Sequence, residues 1–213
     1  MTAKSLKEKQ ILLQEITNSY LLKDILAFDK VKASRHLFDL LKLLAFQIGS
    51  EVSLNELSGQ LRIDVKTVAR YLDLLEKTFV ITSLSGLSRN PRKEVMSKKK
   101  YYFLDNGIRN AVILQFNSLK FRNDIGPLWE NFVIVERLKK KTYKNIFSNS
   151  YFWRTYNQQE IDLVEERDGK LHGYEIKWSD RKQNMKIPAE WSQFYPSAPL
   201  SLITPKNYLG FLT

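Results

Sequence analysis

The apolar positions of the chain recur first at helical spacing. Leu6, Ile11, Leu12, Leu13 and Ile16, then Tyr20, Leu21, Leu22, Ile25, Leu26 and Phe28, make residues 1–34 an amphipathic helical segment. RHLFDLLKLLAFQIG predicts a strong helix with Gly49 as its C-cap. Ser53 and Glu56 have the S-x-x-E spacing of a capping box and open a short helix, SLNELSGQL. After the turn Arg62-Ile63-Asp64, Asp64 is placed to N-cap VKTVARYLDLLEKT. In that helix Val65, Val68, Ala69, Leu72 and Leu75 recur at steps of three and four and predict the buried face. Lys66, Thr67 and Arg70 fall on another face. FVITSL, the basic loop SRNPRKEVMSKKK, and YYFLD read as a β-hairpin with a long cationic tip. Helix, helix, turn, helix, hairpin is the order of a winged helix-turn-helix, which is expected over residues 35–105.

From residue 106 the pattern changes. A short helix from Asn106 to Gln115 precedes LWENFVIVERLKKKTY, with Pro127 in its first turn. Three strand-like runs follow, SYFWRTY, QEIDLVEE and LHGYEIKWS, with Asp168-Gly169 as the hairpin turn between the last two. A helix, PAEWSQFY, and an apolar strand, LSLIT, close the segment. Residues 106–213 are thus expected to form a second domain of order α-β-β-β-α-β. The expected fold class is α/β (α+β), with an N-terminal helical winged helix ahead of that domain. Lys139, Lys140 and Lys141 end their helix and suit its dipole. Trp129, Trp153, Trp178 and Trp191 are expected in the core rather than as a base-stacking platform.

Composition narrows the function. The 213 residues suffice for one large domain or two small ones, and 43% hydrophobic content supplies a core. The absence of cysteine excludes disulfides, a thiol nucleophile and thiolate zinc sites. With only His36 and His172, neither part of a visible constellation, a His-rich metal centre within the chain is excluded. The formal charge of +11 points to an anionic partner, with nucleic acid ahead of a membrane surface. More than half of that excess lies in residues 62–100, with ten Lys/Arg against four Asp/Glu. Double-stranded DNA is the expected partner. Lys66, Thr67 and Arg70 are the groove-reading candidates, and Arg89, Arg92, Lys93, Lys98, Lys99 and Lys100 are the phosphate contacts of the wing. No apolar run reaches the ~18 residues of a membrane span, and MTAKSLKEKQ has no signal-peptide character. A cytoplasmic protein with no membrane partner is therefore expected. No G-x-x-x-x-G-K-[ST] occurs, so ATP binding by a P-loop in this chain is excluded.

The sharpest chemical signal is Asp162 followed by Glu175-Ile176-Lys177. Strand alternation puts Glu175 and Lys177 on one face and Tyr174, Ile176 and Trp178 on the core face. Ile161 and Leu163 are expected to bury one face of the preceding strand, leaving Asp162 on the other. The hairpin then sets Asp162 beside Glu175, with Lys177 one step away. Two adjacent carboxylates repel, and a hard divalent cation, Mg²⁺ or Mn²⁺, relieves that repulsion while keeping waters and phosphate oxygens as its other ligands. The Lys177 ammonium can orient an attacking water or offset charge developing on phosphorus. The same residues also suit a plain ion-pair network on a solvated strand face.

This arrangement resembles the D…(D/E)-x-K signature of the PD-(D/E)XK phosphodiesterase superfamily, the restriction-endonuclease-like fold, whose core order is similar to α-β-β-β-α-β. Ile161 stands where the superfamily name implies Pro. The resemblance implies a Glu on the first core helix facing the metal, with Glu130 first choice and Glu136 second. It further implies a Mg²⁺-dependent deoxyribonuclease-type site in which Glu130, Asp162 and Glu175 hold metal and Lys177 acts on the water or transition state. Arg154, near the end of its strand, is placed either to reach the carboxylates or a phosphate or to be a plain surface charge. In order, YLLKDIL, TVARYLDLLEKTFVI, KKKYYFLDNGIRN, GPLWENFVIVERL, QEIDLV and GYEIKWS resemble the C-terminal half of a large family of prokaryotic AAA+ ATPases, over residues 18 to 205. That likeness implies an ATPase module as upstream partner, with this chain either the C-terminal part of a longer protein or a stand-alone relative. A non-catalytic DNA- or protein-binding module on a nuclease-like scaffold, and a transcription regulator, are the alternatives.

Overall fold

The structure, a computed structural model, describes residues 5–21, 34–88, 98–179 and 187–213. Among them it has eight α-helices and a seven-stranded mixed sheet, so the chain is α/β. The strands run in the order β1-β3-β2-β4-β5-β6-β7, where β1 is Glu51–Val52, β2 Ile81–Gly86, β3 Lys99–Phe103, β4 Asn149–Arg154, β5 Glu160–Arg167, β6 Lys170–Ile176 and β7 Leu200–Ile203. The chain divides into two compact units, Met1–Ser83 with Tyr101–Arg122, and Leu84–Lys100 with Asn123–Thr213.

The first unit opens with α1 (Leu6–Glu15), capped by a reciprocal box between Ser5 and Glu8 and continued as a π-helical segment, Ile16–Leu21. Its core is built by α2 (Ser34–Phe46), α3 (Leu54–Leu61) and α4 (Val65–Lys77), with Leu37, Leu40, Leu41, Leu57, Leu72 and Leu75 almost fully buried. Gly49, at φ 75°, turns the chain after α2, a left-handed conformation that glycine adopts at no steric cost. Ser53 Oγ accepts from the Glu56 N–H at 3.4 Å to start α3. Asp64 caps α4 twice over, accepting from the Thr67 N–H at 2.8 Å and from its hydroxyl at 2.6 Å. The buried stripe of α4 is rotated from the expected one. Tyr71 and Leu74 join Val68, Leu72 and Leu75 inside, while Val65 and Ala69 are exposed. The aromatic body of Tyr71 fills more core than a methyl group can. On α5 (Asn106–Val112), Arg109 is buried and donates from Nε and Nη2 to the Ala45 carbonyl at 2.9 and 2.7 Å, which closes the last turn of α2.

The second unit is a sheet with helices. The last residues of β2 pair in parallel with β4, β4 and β5 and then β5 and β6 pair antiparallel, and β6 and β7 pair in parallel. Asp168 (φ 50°) and Gly169 (φ 71°) form the β5–β6 turn, which needs positive φ at both positions. Ile161, Leu163 and Val164 are buried in β5, and Ile161 and Val164 pack with Trp153 and Trp191. The expected alternation fails here for a definite reason. Tyr151 pairs with Val164 and Trp153 with Ile161, so two steps along β4 match three along β5, and the extra residue lies at Asp162–Leu163. This β-bulge puts Ile161 and Val164, rather than Ile161 and Leu163, in one apolar cluster. Gly173 lies against that cluster: a Cβ there would stand 2.8 Å from Leu200 Cδ1 and 3.4 Å from Trp191 Cζ2. Helix α6 (Ile125–Tyr143) carries Arg137, which is buried and bound bidentately to Glu165 at 2.8 and 2.9 Å. Arg137 also donates to the Phe211 carbonyl of α8 (Tyr208–Leu212). The remaining helix, α7 (Ala189–Phe194), brings Trp191 into the core. Trp129, Trp153 and Trp191 are buried as expected, but Trp178 is 41% exposed, edge-on to Trp129 at 5.5 Å. Tyr174 is half-buried.

Candidate functional site

The second unit holds two groups of ion pairs, Lys100 and Arg154 with Glu130 and Glu160, and Lys177 with Asp162 and Glu175, which form one electrostatic network because Lys100 acts on Asp162 and Glu130 on Lys177. Register brings the predicted pair together. Leu163 faces Tyr174 across β5 and β6, so the next step sets Asp162 against Glu175. The bulge frees Asp162 from regular pairing, and its Oδ2 accepts the Ile176 backbone N–H at 2.7 Å. Lys177, the residue after β6, is half-exposed, with Nζ 2.6 Å from Glu175 Oε1 and 3.7 Å from Asp162 Oδ2.

The electrostatics follow burial. Asp162 is almost fully buried, and loss of water raises its carboxyl above the usual range, against the pull of Lys177, the Ile176 N–H and Lys100; nearby Glu160 pushes the same way as burial. Glu175 is raised by burial first and by the Asp162 charge second. Burial alone would lower Lys177, but Asp162, Glu175 and Glu130 hold its ammonium above its ordinary value.

The second half of the network escaped sequence reading. Lys100, expected on a phosphate-facing wing, is instead 1% exposed. Its Nζ binds Glu160 closely and lies 3.7 Å from Glu130 Oε1. Burial would lower it, yet Glu130 and Glu160 outweigh burial and hold it above its ordinary value. It also lies 5.3 Å from the Phe152 ring centroid. Arg154 Nε stands 3.6 Å from the other oxygen of Glu160. Glu160 had a signal in the chain, since in E-I-D it precedes Asp162 by two, the strand period. Lys100 had none, because it looked like one more lysine of a basic run.

Glu130, Asp162 and Glu175 do not form one metal-ligand group. Among the described residues no three Asp, Glu or His side chains are placed to hold a metal. Two ammonium groups stand among these carboxylates instead: Lys100 at Glu130 and Glu160, and Lys177 at Asp162 and Glu175. Glu136, the second choice, pairs with Lys139 at 2.7 Å on α6 and belongs to no site. The donor chemistry of Asp162 and Glu175 still fits a hard cation. Both are oxygen donors in a poorly solvated place, and Lys177 is the stand-in positive charge between them.

The nucleic-acid candidates fall differently. Lys66 and Arg70 are exposed on α4, whereas Thr67 is half-buried with its hydroxyl engaged by Asp64. Lys98 is exposed and Lys99 half-buried. Arg89, Arg92 and Lys93 lie outside the described residues.

Residues 1–120 match a family described as a domain of unknown function, DUF8612. That match covers more than half of the 213 residues. The chain belongs to the DUF8612 family. Residues 125–208 of this DUF8612 protein match a second domain of unknown function, DUF4143, which is commonly found in AAA-ATPase-associated proteins. Uncharacterized proteins of Mycobacterium tuberculosis and Mycobacterium bovis are each 31% identical over 137 residues, 63% of this chain and 30% of their own length. An uncharacterized protein of Haemophilus influenzae is 29% identical over 137 residues, 62% of this chain and 33% of its own. The alignments thus span about a third of these curated relatives. No solved structure matches. No helix among the described residues is long and apolar enough to cross a membrane.

Proposed function

We propose that this DUF8612 chain is a DNA-associated protein whose second unit carries a metal-dependent phosphodiester-cleaving site. The observation that carries the reading is the Asp162–Glu175 pair with Lys177 Nζ at 3.7 and 2.6 Å, on a bulged strand. Asp162 and Glu175 are the residues that would hold Mg²⁺ or Mn²⁺. When bound, such an ion polarises the phosphate and lowers the pKa of a coordinated water. The chain's own residues do the rest. Asp162 is locked in place by the Ile176 N–H, so its free oxygen is preorganised. Lys177 moves off the carboxylates as a phosphodiester enters, and its ammonium orients water or offsets charge on the phosphorane oxygens. Residues Lys66 and Arg70, exposed on α4, serve the DNA contact. The element order of the first unit, with strands β1-β3-β2, supports reading it as a winged helix. The DUF4143 match favours work alongside an AAA ATPase partner.

The test is digestion of circular single- and double-stranded DNA with Mg²⁺ or Mn²⁺, using wild type, Asp162→Asn and Lys177→Ala. Cutting that needs metal and falls at least about 100-fold in both variants is the expected result. Folded wild type that leaves both DNAs intact in either metal overturns the nuclease reading. The second reading, a binding module on a nuclease-like scaffold, is favoured by the lack of any three-carboxylate metal group among the described residues. It predicts DNA retention that is unchanged by EDTA.

A further inference from the structure

Helix α2 of the first unit has two working faces. Leu37, Leu40, Leu41 and Leu44 point into the core. Arg35, Asp39, Lys42, Leu43 and Phe46 recur at steps of three and four on another face and are partly or fully exposed. With Arg62 at the end of α3 they line a groove of about 530 Å³. From Arg35 to Phe46 the helix rises about 16 Å, or about three turns. Leu43 and Phe46 give the groove its apolar floor, and Phe46 is 70% exposed. Three cations border it, Arg35, Lys42 and Arg62, against one carboxylate, Asp39. Asp39 stands 3.8 Å from Arg35 Nε and 3.9 Å from Lys42 Nζ, beyond hydrogen-bond distance, so both cations remain open to another carboxylate. The Lys42 ammonium is steadied 4.6 Å over the Phe38 ring. Arg62 joins no ion pair among the described residues. Its backbone is left-handed, at φ 54° and ψ 42°, a conformation that glycine adopts freely and arginine only at a steric cost.

We infer that this groove docks an acidic amphipathic helix of a partner protein, with apolar side chains over Leu43 and Phe46 and carboxylates on Lys42 and Arg62. The charge of the rim selects the occupant. A phosphate backbone asks for cations alone and gains nothing from an exposed phenylalanine set between them. A helix with carboxylates flanking an apolar stripe meets both the rim and the floor. Docking here draws on nothing in the carboxylate site of the second unit, so it holds or fails apart from phosphodiester cleavage.

The probe is a fluorescein-labelled helical peptide of about 14 residues, long enough to span the groove, with leucines three and four apart and glutamates between them. Its binding to the full chain is followed by fluorescence anisotropy in EDTA, beside a second peptide with lysine in place of every glutamate. The acidic peptide is expected to bind with a Kd below about 1 mM, and the lysine peptide not to bind. Lys42→Glu and Phe46→Ser should each weaken binding about tenfold or more. Lys170→Glu, the same charge change on the other unit, should weaken it less than about twofold. Arg62→Gly should raise the urea midpoint, by relieving the left-handed arginine, and still weaken the peptide about threefold or more, which a merely structural arginine would not do. Four results overturn the docking: no binding of the acidic peptide by folded wild type, equal losses in Lys42→Glu and Lys170→Glu, equal binding of the two peptides, or a more stable Arg62→Gly that binds as well as wild type. Two more assign the groove to other occupants and overturn it as well. One is a DNA duplex that displaces the peptide and loses affinity in Lys42→Glu. The other is self-association of wild type in sedimentation that Phe46→Ser abolishes.

Discussion

Asp162 is held in a place that opposes its own ionised form. Its carboxylate is buried, and burial together with the Glu160 charge outweighs the help of Lys177, Lys100 and the Ile176 N–H, so that its folded-state pKa lies above the ordinary Asp range. A raised carboxyl means that the folded state holds its proton more tightly than the unfolded state does. Stability is therefore lost as pH climbs from the ordinary Asp range through the raised value, and at neutral pH the ionised group opposes folding. Asn at this position keeps an oxygen to accept the Ile176 N–H and carries no charge. Asp162→Asn is expected to stabilise the protein by about 1 kcal/mol at pH 7. Urea denaturation at pH 7 and near pH 4 checks this, and the gain should shrink at the lower pH, where wild type takes up the proton. A variant less stable than wild type at pH 7 would show that the carboxylate is structural.

At the scale of elements, α6 and β5 are joined by a buried charge pair. Arg137 binds Glu165 through two hydrogen bonds, and Glu165, at 0% exposure, also receives Arg167. Burial would raise Glu165, but the two arginines bring it below the usual Glu range. Its contribution is thus complete at neutral pH and is lost as pH falls below about 4.3 through the lowered value. Glu165→Ala strands the Arg137 guanidinium beneath Phe211, 4.3 Å from its ring centroid, and is expected to cost about 3–5 kcal/mol. The double change Arg137→Met with Glu165→Leu should cost less than the single one, since the buried Arg137 charge leaves with its partner and only the part-exposed Arg167 loses a contact; equal or additive losses in urea melts would refute this. The same elements show what sequence reading can reach. The Asp64 cap, the Asp168-Gly169 turn and the opposition of Asp162 to Glu175 were legible because each depends on neighbours within one or two elements. The bulge at Asp162–Leu163 was not, because it is set by matching β5 to β4 and by the room that Trp153 and Trp191 need. Nor were the Arg137–Glu165 pair, 28 residues apart, and the burial of Lys100 beside Glu160, 60 residues on. A lysine in a basic run and a lysine sealed under two carboxylates look alike in one dimension.

For the whole molecule the question is whether its +11 charge acts as a diffuse field or through a defined surface. Both bind DNA, and both weaken with salt, since each neutralised phosphate releases condensed counterions and adds about −0.9 to the slope of log K against log salt. They differ in where the slope comes from. A diffuse field loses a similar small amount for any lysine removed. A helix seated on DNA loses about one phosphate's worth for each contacting residue and nothing for a distant one. Lys66 and Arg70 are exposed on α4, whereas Lys170 is exposed at the β5–β6 turn of the other unit. Binding to a 20-base-pair duplex, followed by fluorescence anisotropy at several salt concentrations in EDTA, separates the cases. Lys66→Ala and Arg70→Ala should each flatten the slope by about 0.9, and Lys170→Ala should leave it unchanged. Equal effects from all three would assign DNA affinity to net charge alone and remove the reason for placing α4 in a groove. EDTA keeps this test independent of the carboxylate site, so that a chain that binds without cutting and one that does both remain distinguishable.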